Sequence, residues 1–327
     1  MVRVACLLFL LLSLVGCSSP ARAALMSPPG GAVRLWQDAA IFTLVGGLLG
    51  SAHSRVDVEM YELGRPDILA ALAAARARRV DVRVIVDPTV DVSRRSAARL
   101  RASGLAVRTY PVDDRRHQID HVKLLISDGE AAIGGMNWGA HSHRNHDFVL
   151  ETRVGADVER AARIFDQDWA LAGGHPAPLR PRPGSVAQTS PGGEIRDLLE
   201  AALTTASRAV LAEVYTLTDP AVIAELAIAR RRGVDVRVVL DPNQAYNLHA
   251  AAVLRVAGVG VRWYPVPHGT LLHAKIGLFD GTLILGSANW TLSGLGVNHE
   301  LDIETRDPQA VAAYAARFAL DWDRSAA

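Results

Sequence analysis

Cysteine is nearly absent from this sequence, which has only Cys6 and Cys17 among 327 residues. Both lie at the very start, so no disulfide can cross-link the rest of the chain, and stability has to come from a hydrophobic core. An excess of charge is absent too, because the formal net charge is +1. The chain therefore has no strong overall positive field to draw it onto nucleic acid, although a neutral total still allows a local basic groove.

The N-terminus has the pattern of an export signal. Arg3 is followed by an apolar run from Leu7 to Val15, which is too short for a reliable membrane span. The next residues, Leu14 to Cys17, resemble the bacterial lipobox, in which cleavage before the cysteine leaves that residue as a lipid-carrying N-terminus. We therefore expect residues 1–17 to be a lipoprotein signal peptide and the exported protein to be anchored through Cys17 to a membrane of the bacterial cell envelope. An ordinary signal peptide cut elsewhere is the alternative.

The rest of the chain is an internal duplication. Val80 to Pro88 returns as Val234 to Pro242, and Glu59 returns at the same offset as Glu213. A mature chain of about 310 residues suits two domains of about 150. Between the copies lies a segment rich in proline and glycine, which cannot sustain a helix or a central strand. These features predict a first domain over 30–173, a linker over 174–192 and a second domain over 193–325.

Each copy alternates strand-like and helix-like segments. In the first copy, β-branched runs at 56–61 and 80–86 flank an alanine-rich helix over 67–79, and an amphipathic helix is predicted over 158–170. This alternation predicts an α/β fold in which each domain has a mixed sheet flanked by helices. Because the copies are equivalent, we expect the two domains to be related by a pseudo-twofold axis.

Lysine is the second rare residue, and its placement is the strongest functional signal. The only two lysines, Lys123 and Lys275, each follow a histidine by two positions, as His121-x-Lys123 and His273-x-Lys275. With 11 histidines in the chain, chance would produce both pairs about one time in a thousand. Side chains two apart on a strand share a face, so each pair points to one side of its sheet. The pattern indicates sites that need a compact ammonium and not a planar guanidinium.

An Asp-Gly pair and an asparagine follow each lysine at identical spacing. Asp128-Gly129 and Asp280-Gly281 are typical two-residue hairpin turns, which favours a structural role for both aspartates. Folding each hairpin about its turn leaves Asn137 or Asn289 level with the histidine. Strict alternation would point Asn137 to the other face, so we expect the chain to leave regular strand geometry there.

A carboxylate lies at the start of the next predicted strand in each copy. Asp147 and Glu300 occupy equivalent positions, one residue after a histidine. A carboxylate there could accept the Nδ1 proton of a catalytic histidine, fix its tautomer and leave Nε2 free as a nucleophile. Glu151 and Glu304 are the rival candidates for this role.

A dense histidine cluster, His141, His143 and His146, raises the alternative of a zinc site. Its partner copy has only His299, and no cysteine is available as a ligand in the mature chain. We therefore interpret the cluster as a loop at the mouth of a cleft and expect no metal.

The two segments resemble the H-x-K-x(4)-D motif of the phospholipase D superfamily, followed by its Gly-Ser-x-Asn element, and the duplication covers nearly all of the mature chain. The sequence departs from that pattern in two ways. Five residues, and not the commoner six, separate the aspartate from the glycine, which suggests a shortened hairpin. Gly135 also stands in the first copy where the second copy has Ser287.

This resemblance implies a two-step displacement at a phosphodiester without metal or cofactor. His121 would attack phosphorus to give a phosphohistidine, and His273 would protonate the leaving oxygen and then activate water or an alcohol, although the roles could be reversed. Fixed donors would hold the non-bridging oxygens, and the implied donors are Lys123, Lys275, Asn137, Asn289 and Ser287.

We expect a monomer with both half-sites in one chain, acting as a phospholipase D on a phospholipid head group by hydrolysis or transfer. The predicted lipid anchor and the near-neutral charge motivate this substrate. A metal-independent endonuclease is the first alternative, because Asp219 to Asp241 looks much like the small nucleases of the same superfamily. A non-catalytic, envelope-binding lipoprotein is the second, and the intact histidine and lysine pairs argue against it.

Overall fold

A computed structural model describes residues 31–175, 184–190, 192–267 and 269–327. The predicted signal segment and Cys17 lie outside these ranges, so the lipid anchor stays a prediction. Within the described part of the chain, no helix is long and apolar enough to cross a bilayer.

The first half of the chain forms a seven-stranded mixed sheet, as the alternating segments predict. The strands run in the order β1-β7-β6-β5-β2-β3-β4, with β2, β3 and β4 parallel and the others antiparallel. They are β1 (Val33–Gln37), β2 (Arg55–Met60), β3 (Asp81–Val86), β4 (Ala106–Thr109), β5 (Lys123–Ser127), β6 (Glu130–Gly134) and β7 (Phe148–Thr152). The helices are α1 (Ala40–Ser51), α2 (Pro66–Ala77), α3 (Asp91–Ala102) and α4 (Gly155–Leu171).

The second half repeats this sheet with the same order of equivalent strands, β8-β14-β13-β12-β9-β10-β11. Its strands are β8 (Val186–Gln188), β9 (Ala209–Val214), β10 (Asp235–Leu240), β11 (Gly260–Trp263), β12 (Lys275–Phe279), β13 (Thr282–Gly286) and β14 (Leu301–Thr305). Its helices are α5 (Glu194–Thr205), α6 (Pro220–Arg231), α7 (Asn247–Val256) and α8 (Pro308–Arg324). The predicted α/β fold of two duplicated halves is confirmed.

One short strand lies inside the range predicted as linker. β8 pairs with β14 at the edge of the second sheet, as β1 pairs with β7 in the first. The nearby prolines hide this three-residue strand in the sequence, because proline argues against a central strand but not against an edge strand.

Local sequence signals fix where the helices begin and end. Proline stands at the first position of α2, α6 and α8, where its missing N–H costs no helical hydrogen bond. Asp219 and Asp307 cap α6 and α8 by accepting backbone N–H groups of the first turn. After α2 and α6, the equivalent residues Arg79 and Gly233 adopt positive φ angles of 72° and 93°, which turn the chain into the following strand.

The aspartates of the two hairpin turns hold the far end of each hairpin. Asp128 accepts backbone N–H groups from His53, Ser54 and Arg55 at 2.9–3.0 Å, and Asp280 accepts the equivalent set from residues 207–209. Both adopt the positive φ that a tight hairpin turn requires. These contacts tie each turn to the start of a central strand, at the opposite end of β5 or β12 from the histidine.

Three hydrophobic cores hold the molecule together. One core lies on the outer face of each sheet, beneath the helices. The third lies between the halves, where Leu124 and Ile126 of β5 share a cluster with Ile276 and Leu278 of β12. The two sheets therefore face each other through β5 and β12, and this packing brings the ends of both strands that carry the histidines to one place.

Candidate active site

The two histidine and lysine pairs lie at the same end of β5 and β12. Lys123 and Lys275 are the first residues of these strands, and each histidine lies just before its strand. The backbone N–H of His121 donates to the carbonyl of His299 at 2.8 Å, and that of His273 donates to the carbonyl of His146 at 2.8 Å. Each histidine is thus fixed by a segment of the opposite half.

Each catalytic candidate is also held through its ring by the opposite half. His121 Nδ1 lies 2.9 Å from Glu300 Oε2, and His273 Nδ1 lies 2.7 Å from Asp147 Oδ2. All four residues are buried. A carboxylate on Nδ1 fixes the neutral tautomer with the proton on that nitrogen, so Nε2 is the ring nitrogen available for chemistry.

The rival carboxylates do not contact either of these histidines. Glu151 Oε2 accepts the indole N–H of Trp36 at 2.7 Å. Glu304 lines a separate surface cavity beside Phe279 and Arg306. The structure therefore places Asp147 and Glu300, and neither rival, against the paired histidines.

The Nζ atom of each lysine contacts the backbone carbonyl of its paired histidine and lies over the ring of a tyrosine. Lys123 Nζ donates to the His121 carbonyl at 2.6 Å and lies 4.9 Å from the centre of the Tyr61 ring. Lys275 Nζ donates to the His273 carbonyl and lies 5.1 Å from the Tyr215 ring. Burial lowers the pKa of Lys123 to about 7 and that of Lys275 to about 8. Because a bound phosphodiester anion favours the charged form, it would raise both values.

Both histidines are neutral in the empty site. Burial, followed by the charges of the two lysines, lowers the pKa of His121 well below its ordinary value. Burial and Lys275 lower the pKa of His273 to about 4. A neutral imidazole has the lone pair that a nucleophile or a general base needs. A bound phosphodiester would raise these pKa values as well, which would allow one histidine to carry a proton to a leaving group.

Tyr61 and Tyr215 are site residues that the sequence reasoning did not select. Their rings contact His121 and His273 with centroid distances of 4.8 and 4.9 Å. The signal was present, because both tyrosines return at the same offset directly after β2 and β9. Their rings shield one side of each imidazole from solvent.

The two asparagines lie where the chain leaves the sheet after β6 and β13. In both Asn137 and Asn289 the side-chain oxygen is buried without a hydrogen-bond partner among the described residues. Buried amides left unpaired in this way are rare and often mark a position completed by a ligand. The unpaired atom is an acceptor, so a phosphate oxygen would be met by the amide nitrogen of the same side chain and not by this oxygen.

Ser287 lies beside Glu300, within hydrogen-bonding distance of its carboxylate. It is fully buried, its hydroxyl donates to Glu300 Oε2 at 2.6 Å, and its Oγ accepts the Leu301 N–H at 3.0 Å. Both hydrogen-bonding functions of the hydroxyl are thus used within the protein. Ser287 supports the carboxylate that holds His121, and its contact with phosphate stays a prediction.

Gly135 stands in the first copy where the second copy has Ser287, and the structure explains this difference. A Cβ atom at Gly135 would overlap the carboxylate of Asp147. The shorter aspartate occupies the space that Ser287 fills in the other half, whereas the longer Glu300 leaves room for a serine. The departure from the motif at Gly135 and the choice of aspartate at 147 are therefore one structural adjustment.

The histidine cluster proposed as a zinc alternative is not assembled into a ligand set. His143 Nδ1 lies 3.3 Å from a nitrogen of Arg65, and the ring of His146 faces buried carboxylates. The groups of potential metal ligands among the described residues are Glu59, Asp120 and His299, and His146, Glu213 and Asp321. Neither group includes His141 or His143.

A cavity of about 600 Å³ opens between the halves, and the paired histidines, lysines and asparagines do not belong to its described lining. Its lining includes Val92, Ala140 and Leu271 as well as the amides of Asn145 and Asn243, and no lysine or arginine belongs to its described lining. Glu62, also on this wall, interacts with the Lys123 charge. The cavity therefore has apolar and polar walls, and Glu62 and His141 are the titratable residues of its described lining.

Comparison with known proteins identifies relatives of both halves. A family model described as "Cardiolipin synthase, PLD-like domain" matches residues 46–169 and 199–322. A mitochondrial cardiolipin hydrolase of Xenopus laevis is 37% identical over 112 residues, which cover 34% of this chain and 52% of that protein. A probable cardiolipin synthase of Bacillus subtilis is 23% identical over 315 residues, which cover 84% of this chain and 62% of that protein. The chain thus spans between about half and three fifths of the length of these relatives.

Solved structures show the same fold at low sequence identity. A phosphatidylserine synthase of Haemophilus influenzae superposes with a TM-score of 0.69 at 12% identity and covers 90% of this chain and 86% of its own. A polyphosphate kinase of Porphyromonas gingivalis superposes with a TM-score of 0.65 at 19% identity, covering 88% of this chain and 46% of its own. Since both identities are low, these matches describe the architecture alone.

Proposed function

This chain belongs to the phospholipase D superfamily, and from that premise we propose that it is a phosphodiesterase that hydrolyses or transfers a phospholipid head group through a phosphohistidine. One observation carries the proposal: both histidines lie in one buried site with Nδ1 held by a carboxylate, at 2.9 Å for His121 and 2.7 Å for His273. The arrangement leaves two Nε2 atoms for a nucleophile and its acid partner.

The proposed reaction has two displacements at phosphorus. In the first, His121 Nε2 forms a bond to phosphorus as the bond to the leaving oxygen breaks, and His273 donates a proton to that oxygen. In the second, His273 removes a proton from water or an alcohol, whose oxygen displaces His121. Glu300 and Asp147 stabilise the imidazolium that forms on each histidine in turn.

The donors for phosphate are the two lysines and the two asparagines. Lys123 and Lys275 offer compact ammonium groups that gain charge when the anion binds, since their pKa values in the empty site are about 7 and about 8. Asn137 and Asn289 add neutral donors just after β6 and β13, where the chain leaves each sheet. Fixed donors of this kind stabilise the charge that develops on the non-bridging oxygens. No metal or cofactor enters the proposed reaction.

A lipid substrate is favoured over nucleic acid by the walls of the 600 Å³ cavity, which include Glu62, a residue that interacts with the Lys123 charge. The described lining contains aliphatic side chains, neutral amides, Glu62 and His141 but no lysine or arginine. A duplex would need a groove that neutralises several phosphates. Cardiolipin-related names among the relatives agree with a lipid, and the predicted anchor at Cys17 would place the site at a membrane surface.

The proposal is tested with protein lacking residues 1–17, incubated in EDTA with vesicles of phosphatidylcholine or phosphatidylglycerol and, separately, with plasmid DNA. We expect release of choline or glycerol, and formation of cardiolipin plus glycerol from two phosphatidylglycerol molecules if transfer dominates. The control is His121→Ala, which should be inactive. DNA cleavage without head-group release would favour the nuclease, and no reaction on any phosphodiester would favour a binding protein. Full activity of His121→Ala would refute the phosphohistidine.

A further inference from the structure

Two fully buried histidines, His146 and His299, take no part in the proposed chemistry. Each directly precedes a carboxylate that holds a catalytic histidine. His299 Nε2 lies 2.9 Å from Asp168 Oδ2, on helix α4 of the opposite half, and its ring stacks on Tyr110 at 4.7 Å with an interplanar angle of 7°. An imidazole held by an ion pair and a parallel ring has little freedom to move.

His146, in the first half, has an equivalent environment in which residues of the second half contact its ring. Its Nε2 lies 3.0 Å from Glu213 Oε2 on β9 and 3.2 Å from Asp321 Oδ2 on α8. Its Nδ1 lies 2.6 Å from Asp38, and its ring stacks on Tyr264 at 5.0 Å. The side chain of each histidine therefore reaches across the interface between the halves.

The backbone of the same residues holds the catalytic strands. The carbonyl of His299 accepts the N–H of His121 at 2.8 Å, and the N–H of His299 donates to the Ile119 carbonyl at 2.9 Å. The carbonyl of His146 likewise accepts the N–H of His273, and its N–H donates to Leu271. The backbone of each of these two histidines therefore hydrogen-bonds to a catalytic segment of the opposite half. The side chain of the same histidine contacts other residues of that opposite half.

We propose that His299 and His146 are positioning residues, which set the placement of His121 and His273, respectively, through ion pairs across the interface between the halves. Glu300 orients the His121 ring, and His299 fixes the backbone of both, so the ring and the main chain of the nucleophile are placed together. The same relation holds for His146, Asp147 and His273. The inference rests on the proposed function for its kinetic readout, but its geometric claim stands apart from that function.

The charges around the two histidines differ, although the positions are equivalent. Near His146, Arg317 lies 3.2 Å from Nδ1 and also pairs with Asp38 and Asp321. The equivalent position of the first copy is Ile164. Near His299 the facing groups are the carboxylates of Glu59, Asp120 and Asp168, and the described residues place no arginine among the ion pairs of His299. Among the described residues, the imidazole of His299 is thus the basic group that faces these carboxylates in its ion pairs, whereas His146 shares its carboxylates with Arg317.

Kinetics can separate positioning from general structural support, because the two residues act on different catalytic groups. The variants are His146→Gln and His299→Gln, with His53→Gln as the matched control, since His53 is exposed and lies at the far end of the hairpin. Two phosphodiesters are compared, one with a 4-nitrophenolate leaving group and one with an alkoxide leaving group. Only the alkoxide needs a proton from the acid as it departs.

We expect His146→Gln to lower kcat/KM for the alkoxide substrate at least tenfold more than for the nitrophenyl substrate, because kcat/KM reports formation of the phosphohistidine, a step in which only the alkoxide needs the displaced acid, His273. We expect His299→Gln to slow both by about 10²-fold, the cost of a misplacement of about 1 Å at the nucleophile. If the histidine roles are reversed, the two variants exchange behaviour. Equal ratios of the two rates in both variants and wild type would overturn the proposal, since a loss of folded protein lowers both rates alike.

A second readout does not require activity. In protein labelled with ¹⁵N-histidine, His299→Gln should shift the Nδ1–H signal of His121 and leave that of His273 unchanged, and His146→Gln should do the reverse. Where a glutamine variant does not fold, Asp168→Asn keeps the shape of the His299 partner and tests the same ion pair. Wild-type protein that is inactive on both phosphodiesters would refute the proposed function while these signals still test positioning. Simultaneous shifts of both signals, or of neither, would refute the positioning.

Discussion

Removal of the negative charge on Glu300 is the sharpest test of how the site works. Glu300 is fully buried, and its two oxygens accept from His121 Nδ1, from the Ser287 hydroxyl at 2.6 Å and from the Asn298 amide at 3.0 Å. Glu300→Gln keeps the shape of the side chain. Its amide oxygen can still accept from His121 and Ser287, and its new N–H₂ group can face Asn298 once that amide rotates. The variant therefore removes charge with little change in packing.

The expected loss follows from the charge that develops on His121. When its Nε2 bonds to phosphorus, the ring becomes cationic, with its charge about 4 Å from the carboxylate. At an effective dielectric constant of about 20 this attraction is about 4 kcal/mol, which corresponds to about 10³-fold in rate. Burial raises the pKa of Glu300 to about 7, so the carboxylate is ionised above that pH and neutral below it. The loss should be largest near pH 8 and shrink towards pH 6.

Single-turnover kinetics on a phosphodiester with a nitrophenolate leaving group would measure this effect, because formation of the phosphohistidine is then observed directly. The matched control is Glu304→Gln, four residues further along the chain in β14, where the side chain lines an unrelated surface cavity. We expect the control to stay within twofold of the wild type. A Glu300→Gln rate within threefold of the wild type at pH 8 would refute the assigned role of the carboxylate.

Three further predictions concern the turn, the pH profile and the glycine. Asp128→Ala should lower the free energy of unfolding by about 1–2 kcal/mol in urea titrations, because three backbone N–H groups lose a charged acceptor at a partly solvated turn; unchanged stability would contradict this, and activity per folded molecule should be unaffected. On a phosphodiester with a nitrophenolate leaving group, which needs no acid, kcat/KM should fall as pH rises through about 7 and about 8, where Lys123 and Lys275 become neutral in the free enzyme; a kcat/KM that stays constant from about pH 7 to about pH 10 would contradict the burial argument. Gly135→Ser should lower kcat at least tenfold by displacing Asp147, and the double variant with Ala at 147 should be no worse than the single Asp147→Ala variant if the two residues share one space.

Most of the fold could be predicted because the duplication presents the same pattern of strands and helices twice, so that each copy checks the other. The strands and helices around Val80 to Pro88 recur around Val234 to Pro242, and a segment that fits strand, helix and strand in both copies is seldom misread. The short edge strand β8 was missed, since three residues among prolines carry no periodicity. The predicted signal segment and its cysteine lie outside the described residues.

Most candidate site residues could also be predicted from the sequence. Which half supplies the carboxylate for each histidine could not be predicted. The choice of Asp147 and Glu300 over Glu151 and Glu304 agrees with the contacts seen, and it followed from their place at the start of a strand. Spacing cannot reveal that each carboxylate serves the histidine of the other copy, because a contact within a copy and one between copies look the same in a repeat. The hydrogen bond from the Ser287 hydroxyl to Glu300 could not be predicted, since the sequence does not show which side chains meet across the site.

One signal in the sequence pointed to the buried ion pairs and was not used. Glu59 and Glu213 lie in the middle of the apolar strands β2 and β9, at equivalent positions. A charged residue inside a buried strand is costly unless it is paired, so its recurrence in both copies predicts a partner across the interface. Of the two partners, His146 was interpreted as part of a loop at the cleft mouth, and His299 was given no role.

The exchange of carboxylates between the halves also constrains how such a chain can evolve. After a gene duplicates, one copy is ordinarily free to accumulate changes while the other preserves the function. Here each copy carries the carboxylate that sets the tautomer of the other copy's histidine. A substitution of Asp147 therefore alters the environment of His273, and a substitution of Glu300 alters that of His121. The halves can become different from each other, as Gly135 and Ser287 have, but neither can decay alone, and substitutions should accumulate as matched pairs across the molecule.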